Sequence, residues 1–140
     1  MTSAEALDHV FLIAWNSALK TSITGSVRRY LRPTNSTNED VTVNILNPAS
    51  FEQLQSGIFN INVFIPNPPY TTTVDGKQVT LRDIPNQSRI VALSALCNVA
   101  FAFQYDKVKF ALVELQTQNI IPDDEQVIIN NRVKITIKNL

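Results

Sequence analysis

The sequence predicts an α+β domain: a mainly antiparallel sheet of four to five strands, flanked by two helices, with an extended β-hairpin arm. Three observations carry this. Helical apolar spacing appears twice, near the N-terminus and after residue 88. Period-two alternation appears in several separate runs. Asp75-Gly76 lies between two β-rich stretches, the dipeptide setting that most strongly marks a short hairpin. With 140 residues the chain has the length of one domain, residues 1–140, with residues 66–88 as an arm protruding from it.

Thr2-Ser3-Ala4-Glu5 has the form of a capping box. Leu7, Val10, Phe11, Ala14, Trp15 and Ala18 follow at helical spacing, with Glu5, Asp8, His9, Asn16 and Lys20 on the wetter side. The signal fades over residues 21–25. Residues 26–31 form a short strand candidate, and residues 33–38 a polar turn. Val41, Val43 and Ile45 alternate with Thr42 and Asn44, a half-buried strand that Asn47-Pro48 breaks. After a connection over residues 49–56, Phe59, Ile61, Val63 and Ile65 alternate with Asn60, Asn62 and Phe64. Pro66, Pro68 and Pro69 then enforce an extended chain. Residues 71–74 and 77–81 flank Asp75-Gly76, which predicts a hairpin arm leaving the domain; a loose surface insertion is the plainer alternative.

Ser88 can cap a second helix over residues 89–105. Ile90, Leu93, Leu96, Val99, Ala100 and Phe103 form its apolar stripe, and Val91, Ala92, Ala95, Cys97 and Ala102 leave the rest apolar or small. A helix apolar nearly all round calls for cover on more than one side, and a neighbouring subunit is one candidate. Residues 107–117 alternate as a strand. Ile121-Pro122-Asp123-Asp124-Glu125 reads as a turn. Val127, Ile129, Val133, Ile135 and Ile137 form the apolar face of a last strand, with Asn131 on that face as a bulge or a hydrogen-bonded residue.

Composition excludes several chemistries. Twelve basic side chains balance twelve acidic ones, and charged residues are only 17% of the chain. That argues against nucleic-acid binding by bulk positive charge and favours self-association. The single Cys excludes an intrachain disulfide framework, and the single His excludes a His-based metal site. No apolar run is long enough for a membrane helix, and the N-terminus reads as an unprocessed intracellular start. Asn35-Ser36-Thr37 and Asn86-Gln87-Ser88 match the glycosylation pattern by chance. The scattered Gly25, Gly57 and Gly76 form no phosphate loop.

No catalytic constellation emerges, and neither cofactor nor metal is expected. The cluster Asp123, Asp124 and Glu125 lacks calcium-loop spacing and reads as a solvated turn. Glu39-Asp40 has the composition of an acid/base pair, but beside a polar turn the default is contact with water or arginines. His9 reads as a helix-packing residue, Cys97 as a small buried hydrophobe, and Trp15 as core or interface anchor. Arg28, Arg29 and Arg32 are the concentrated basic feature. Adjacent on a strand, Arg28 and Arg29 point to opposite faces. They can protect a solvated edge, contact nucleic acid, or pair with a neighbour's acidic residues, for which Glu39, Asp40 and residues 123–125 are available.

Residues 25–67 carry a resemblance. Arg32-Pro33, Asn35-Ser36, the run Glu39-Asp40-Val41-Thr42-Val43-Asn44, residues 53–57, and Asn60-Ile61-Asn62-Val63 leading into Ile65-Pro66 look like a group of small prophage-encoded proteins of gut bacteria. The element order resembles the tail-terminator and tail-completion fold of tailed bacteriophages. Such proteins form rings, usually hexamers, that cap the tail tube and join it to the head. The resemblance therefore implies a non-enzymatic virion protein of the neck, assembled in the host cytoplasm. Its implied partners are its own copies, other neck proteins and tail-tube proteins, with DNA passing through the lumen, no sequence-specific nucleic-acid binding and no membrane. The expected interface residues are Arg28, Arg29, Arg32, Tyr70, Val74, Asp75, Gly76, Lys77, Val79, Asp123, Asp124 and Glu125. A small module that grips a partner through a sheet edge or the arm is the alternative.

Overall fold

The computed structural model describes residues 1–47 and 53–139. Pro48 and residues 49–52 of the connection predicted over residues 49–56 lie outside them; residues 54–56 of that connection are already strand. The elements run α1 (Ser3–Trp15), α2 (Ala18–Ser22), β1 (Val27–Arg29), β2 (Asp40–Asn47), β3 (Leu54–Pro66), β4 (Tyr70–Val74), β5 (Lys77–Leu81), α3 (Gln87–Ala100), β6 (Gln104–Asp106), β7 (Ala111–Asp123) and β8 (Gln126–Lys138).

The N-terminal helix starts at its capping box. Thr2 Oγ1 accepts from the Glu5 N–H (3.1 Å), and Glu5 Oε2 accepts from the Thr2 N–H (2.7 Å). The helix stops earlier than its apolar spacing suggests. Ser17 Oγ donates to the Ala14 carbonyl (2.7 Å) and accepts from the Leu19 N–H (3.2 Å), so one serine ends α1 and caps α2.

The architecture corrects the predicted four to five antiparallel strands flanked by two helices. Strand dominates, in a six-stranded mixed sheet of order β1-β2-β3-β8-β7-β6 plus a separate pair, β4-β5, with three helices. β1 runs parallel to β2, whereas the other neighbours in the large sheet are antiparallel. The reason for the difference is local. Three-residue β1 carries too little alternation to reveal its direction, and three-residue β6 was hidden in the apolar tail of the predicted helix 89–105. That helix instead runs from the Asn86 cap to Ala100. The helices do not flank the sheet either, because side chains of α1, α2 and α3 join one core cluster with one sheet face.

That face is supplied by Val41 and Val43 of β2, Phe59, Ile61, Val63 and Ile65 of β3, Val113 of β7, and Val127, Ile129, Val133, Ile135 and Ile137 of β8. Asn131 sits within it, fully buried. Its Nδ2 donates to the Ile61 carbonyl (3.1 Å), and its Oδ1 accepts from Gln118 Nε2 (2.9 Å), which also reaches the Ser94 carbonyl of α3 (3.2 Å). Register shifts lie instead in β7, between Leu115 and Thr117, and in β2, between Ile45 and Asn47. The strand predicted over residues 107–117 begins only at Ala111, since Asp106 Oδ1 gathers the N–H groups of Val108 and Lys109 into a turn. It then runs through Ile121-Pro122 to Asp123, leaving Asp124 and Glu125 as the turn, with Asp124 at φ +54°.

Two partly buried ion pairs tie loops to this frame. Arg89 of α3 forks onto Glu39, Nε to Oε2 (2.6 Å) and Nη2 to Oε1 (2.8 Å), and Nη2 also donates to the Ser22 carbonyl. Arg32 Nε donates to Asp40 Oδ2 (2.8 Å). The chain passes so close here that a Cβ on Gly25 would lie 2.1 Å from Asp40 Oδ1 and 2.5 Å from the Glu39 carbonyl oxygen. Only glycine fits without displacing a held carboxylate or the backbone.

Candidate interaction surfaces

The arm is the β4-β5 pair. Asp75 (φ +51°) and Gly76 (φ +74°) take the left-handed conformations that a two-residue hairpin turn needs. Register puts Tyr70, Thr72 and Val74 on one face with Leu81, Val79 and Lys77. The opposite face is Thr71, Thr73, Thr80 and Gln78, all polar. Val74 is 48% exposed, so the apolar face is incompletely covered within the chain.

The root of the arm is built, not loose. The Asn67 N–H donates to the Glu125 carbonyl (2.8 Å), and its Nδ2 to the Arg82 carbonyl (2.9 Å) and, more weakly, to that of Asp124 (3.4 Å). One buried asparagine thus joins the outgoing chain, the returning chain and the β7-β8 turn. Tyr70 Oη donates to Asp83 Oδ1 (2.6 Å), closing the base, and that bond together with the Asp83 charge raises the phenol above its ordinary pKa.

Among the predicted interface residues, the structure brings Arg32 together with Asp123, Asp124 and Glu125 around a cavity of about 320 Å³ beside the arm root. Gln126 is the bridge: it accepts from Arg32 Nη1 (2.6 Å) and donates to Asp123 Oδ2 (2.9 Å). Arg28 and Arg29 lie elsewhere. Arg29 pairs with Asp8 (2.5 Å) and stacks on Phe11, while Arg28 makes no salt bridge among the described residues. Glu39 and Asp40, read as available to a neighbour's arginines, are instead held by Arg89 and Arg32 of the same chain. Burial tends to raise the Asp40 carboxyl. Hydrogen bonds from Ser36, Arg32 and the Ser26 N–H, with the Arg32 charge, outweigh it and hold the group below the usual range.

At the other end of the sheet, α1, α3 and β6 enclose a groove of about 680 Å³ lined by His9, Leu12, Ile13, Leu96, Val99 and Tyr105 among others. Val99 is 76% exposed, and Phe103 and Val108, close by in sequence, are 70% and 86% exposed. Burial lowers the His9 pKa, against the Asp106 charge and with that of Lys109. No described hydrogen bond joins His9 to a nucleophile or carboxylate. Cys97 is buried, which pushes its thiol up to about 11, the wrong direction for a nucleophile. Among the described residues no group of three or more His, Cys, Asp or Glu could hold a metal, and no helix is long and apolar enough to cross a membrane.

A third surface was not legible as such in the sequence. All three helices pack on one side of the sheet, so its other face has no helical layer. Register arranges that face in rows across the strands: Phe64-Ile128-Ile121, then Arg28-Thr42-Asn62-Asn130-Asn119, then Asn44-Asn60-Arg132-Thr117, then Ile58-Lys134-Glu114. Asn130 Nδ2 donates to Asn62 Oδ1 (2.7 Å) and Asn60 Oδ1 (3.3 Å), so the amides form a connected band. The alternation of β8 signalled a polar face; which strands would lie beside it was the missing information. No protein-family model matches the chain, and no curated protein matches it.

Proposed function

We propose that this chain is a structural subunit that assembles head to tail with its own copies into a ring, in the manner of the tail-terminator proteins its sequence resembles, at the head-tail junction or tail end of a phage. The observation that carries the reading is the opposition of two incompletely covered apolar surfaces. The arm leaves from the row Pro66-Gln126-Asp123; the groove borders Ala111, which pairs with Ile137 near the far ends of the same strands. Eleven residues of strand separate these rows, roughly 35 Å. Different patches at opposite ends make a heterologous contact, which closes into a ring when the rotation permits. A lone two-stranded hairpin is marginal in water, so an arm with this face gains stability from a partner's surface.

The test is mass in solution together with negative-stain imaging. The full chain is expected to form a discrete ring. Deleting residues 71–81 is expected to leave a folded monomer, since the arm contributes nothing to the core cluster. A strict monomer at high concentration, with no rings even beside neck and tail-tube proteins, overturns the proposal. A second reading, a small module that adds a partner strand, draws on the outer edge of β7 beyond its short pairing with β6 at Ala111–Val113. It requires a monomer with one protein partner bound.

A further inference from the structure

The charge balance of the whole chain conceals a local asymmetry. The sheet face without a helical layer carries Arg28, Arg132, Lys134 and Lys138, by their places in the register; only its arm end is covered, where Arg32 lies over Phe64 and Asp40 and Thr42 are buried. None of the four makes a salt bridge among the described residues. Against them the face has Glu114, opposite Lys134, and two carboxylates already engaged within the chain: Asp40 by Arg32, and Asp123, at the arm end, by Gln126. Around the cations lie Asn60, Asn62 and Asn119, whose side-chain amide N–H groups have no hydrogen bond among the described residues; the Nδ2 of Asn130 already donates to Asn60 and Asn62, and that of Asn44 to Thr42. Residues two apart on a strand are about 6.8 Å apart and neighbouring strands about 4.8 Å. The four cations therefore span roughly 20 Å along β8 and 14 Å across to β1.

We infer that this face binds the phosphate backbone of duplex nucleic acid without regard to sequence. Polyanion chemistry follows from the four free cations and their amide surround. Duplex rather than single strand follows from the aromatic inventory. Single-strand binders stack bases on exposed rings. Here Phe64 has the Arg32 guanidinium over it, 4.7 Å from its centroid, and Tyr105 stands at the margin in the row of Leu112. The inference rests on the face alone and not on ring assembly; a chain that never forms rings leaves it standing.

The experiment is fluorescence anisotropy of a labelled duplex DNA of mixed sequence, titrated with the full chain from 50 to 200 mM salt. Four phosphate contacts give a slope of log K against log salt near −3.6, an affinity loss of about 150-fold over that range. The variant Arg28→Gln/Arg132→Gln/Lys134→Gln/Lys138→Gln is expected to weaken binding at least tenfold at 50 mM salt and flatten the slope. A variant with the same charge change elsewhere, Lys20→Gln/Arg82→Gln/Lys107→Gln/Lys109→Gln, is expected to stay within threefold of the parent. Circular dichroism and melting temperature check that both fold. Equal loss in the two variants refutes the face as the site. A flat salt dependence or no binding in the parent refutes polyanion binding without recourse to any variant. Tenfold tighter binding of a single strand of equal charge refutes the duplex assignment.

Discussion

Breaking the Arg89–Glu39 pair isolates how the second long helix is moored. Arg89 in the first turn of α3 meets both oxygens of Glu39, next to β2, and the carbonyl of Ser22 at the end of α2. The Glu39 side chain is 10% exposed and that of Arg89 30%. In Arg89→Met the carboxylate stays buried and keeps only the long Thr24 N–H contact (3.3 Å). Removing one partner of a fully buried pair costs about 3–5 kcal/mol. The partial exposure of the arginine, which lets water reach the carboxylate, reduces this to about 2–3 kcal/mol. That is a fall in melting temperature of roughly 6–12 °C for a domain of this size. In Glu39→Met/Arg89→Met neither charge is stranded, and the deficit is expected to shrink to about 1 kcal/mol. Urea denaturation of the four members of the cycle reads the coupling directly. A loss below 0.5 kcal/mol (order of magnitude from surface pairs) in the single variant, or a double variant as unstable as the sum of the singles, refutes the mooring.

Three further outcomes follow from the same geometry. Gly25→Ala must displace either the Asp40 carboxylate or the Glu39 carbonyl, at a cost of about 2 kcal/mol measured by urea denaturation. Asp40 has a lowered folded pKa, so its contribution is complete above the ordinary carboxylate range and is lost as pH falls through the folded value; the acid side of the stability-pH curve is expected to be steeper in the parent than in Asp40→Asn. Cys97, buried with a thiol pushed up to about 11, is expected to resist alkylation at pH 8 in the native chain and to react stoichiometrically in denaturant, as mass spectrometry would show.

Legibility in the sequence followed the length of each signal. The capping box at Thr2 and Glu5, the alternation of β3 and β8, and the left-handed Asp75-Gly76 turn are each encoded within a few neighbouring residues, and each forms. What failed was non-local or short. β1 takes its parallel direction from β2, which no alternation in three residues discloses. β6 has three residues beside a helix whose apolar spacing carries on past its real end at Ala100. Ser17 caps in the middle of an uninterrupted apolar stripe, where a local hydrogen bond overrides periodicity. For the candidate sites, Arg28 and Arg29 do point to opposite faces, but the partner of each depended on what the fold placed there: Asp8 for one, an open sheet face for the other. Glu39 and Asp40 read as facing water or pairing with arginines, and they pair with arginines; which ones, Arg89 and Arg32, 50 and 8 residues away, depended on the fold.

The choice between the arm and the sheet edge as the means of association turns on how each is protected. An open edge that pairs with partners offers a flat, regular row of N–H and C=O groups. The outer edge of β7 does not. Phe101 already accepts from the Leu115 N–H at its start (3.1 Å), a register shift follows between Leu115 and Thr117, and Pro122 near its end has no N–H to give. These are features that blunt an edge. The arm has the opposite character. Its turn is fixed, its base is locked by Asn67 and by the Tyr70–Asp83 bond, and its apolar residues fall on one side while the other side is polar. A surface insertion under no constraint has no reason to keep a buried asparagine at its root or to sort its side chains between two faces. A root tied by these bonds limits the directions open to the arm, which lowers the ordering cost of any contact it makes. For the assembly proposed above, the arm is therefore the better-suited contact than the edge of β7, and the two proposals make opposite claims about one variant: deleting residues 71–81 is expected to abolish assembly in the first case and to leave partner binding intact in the second.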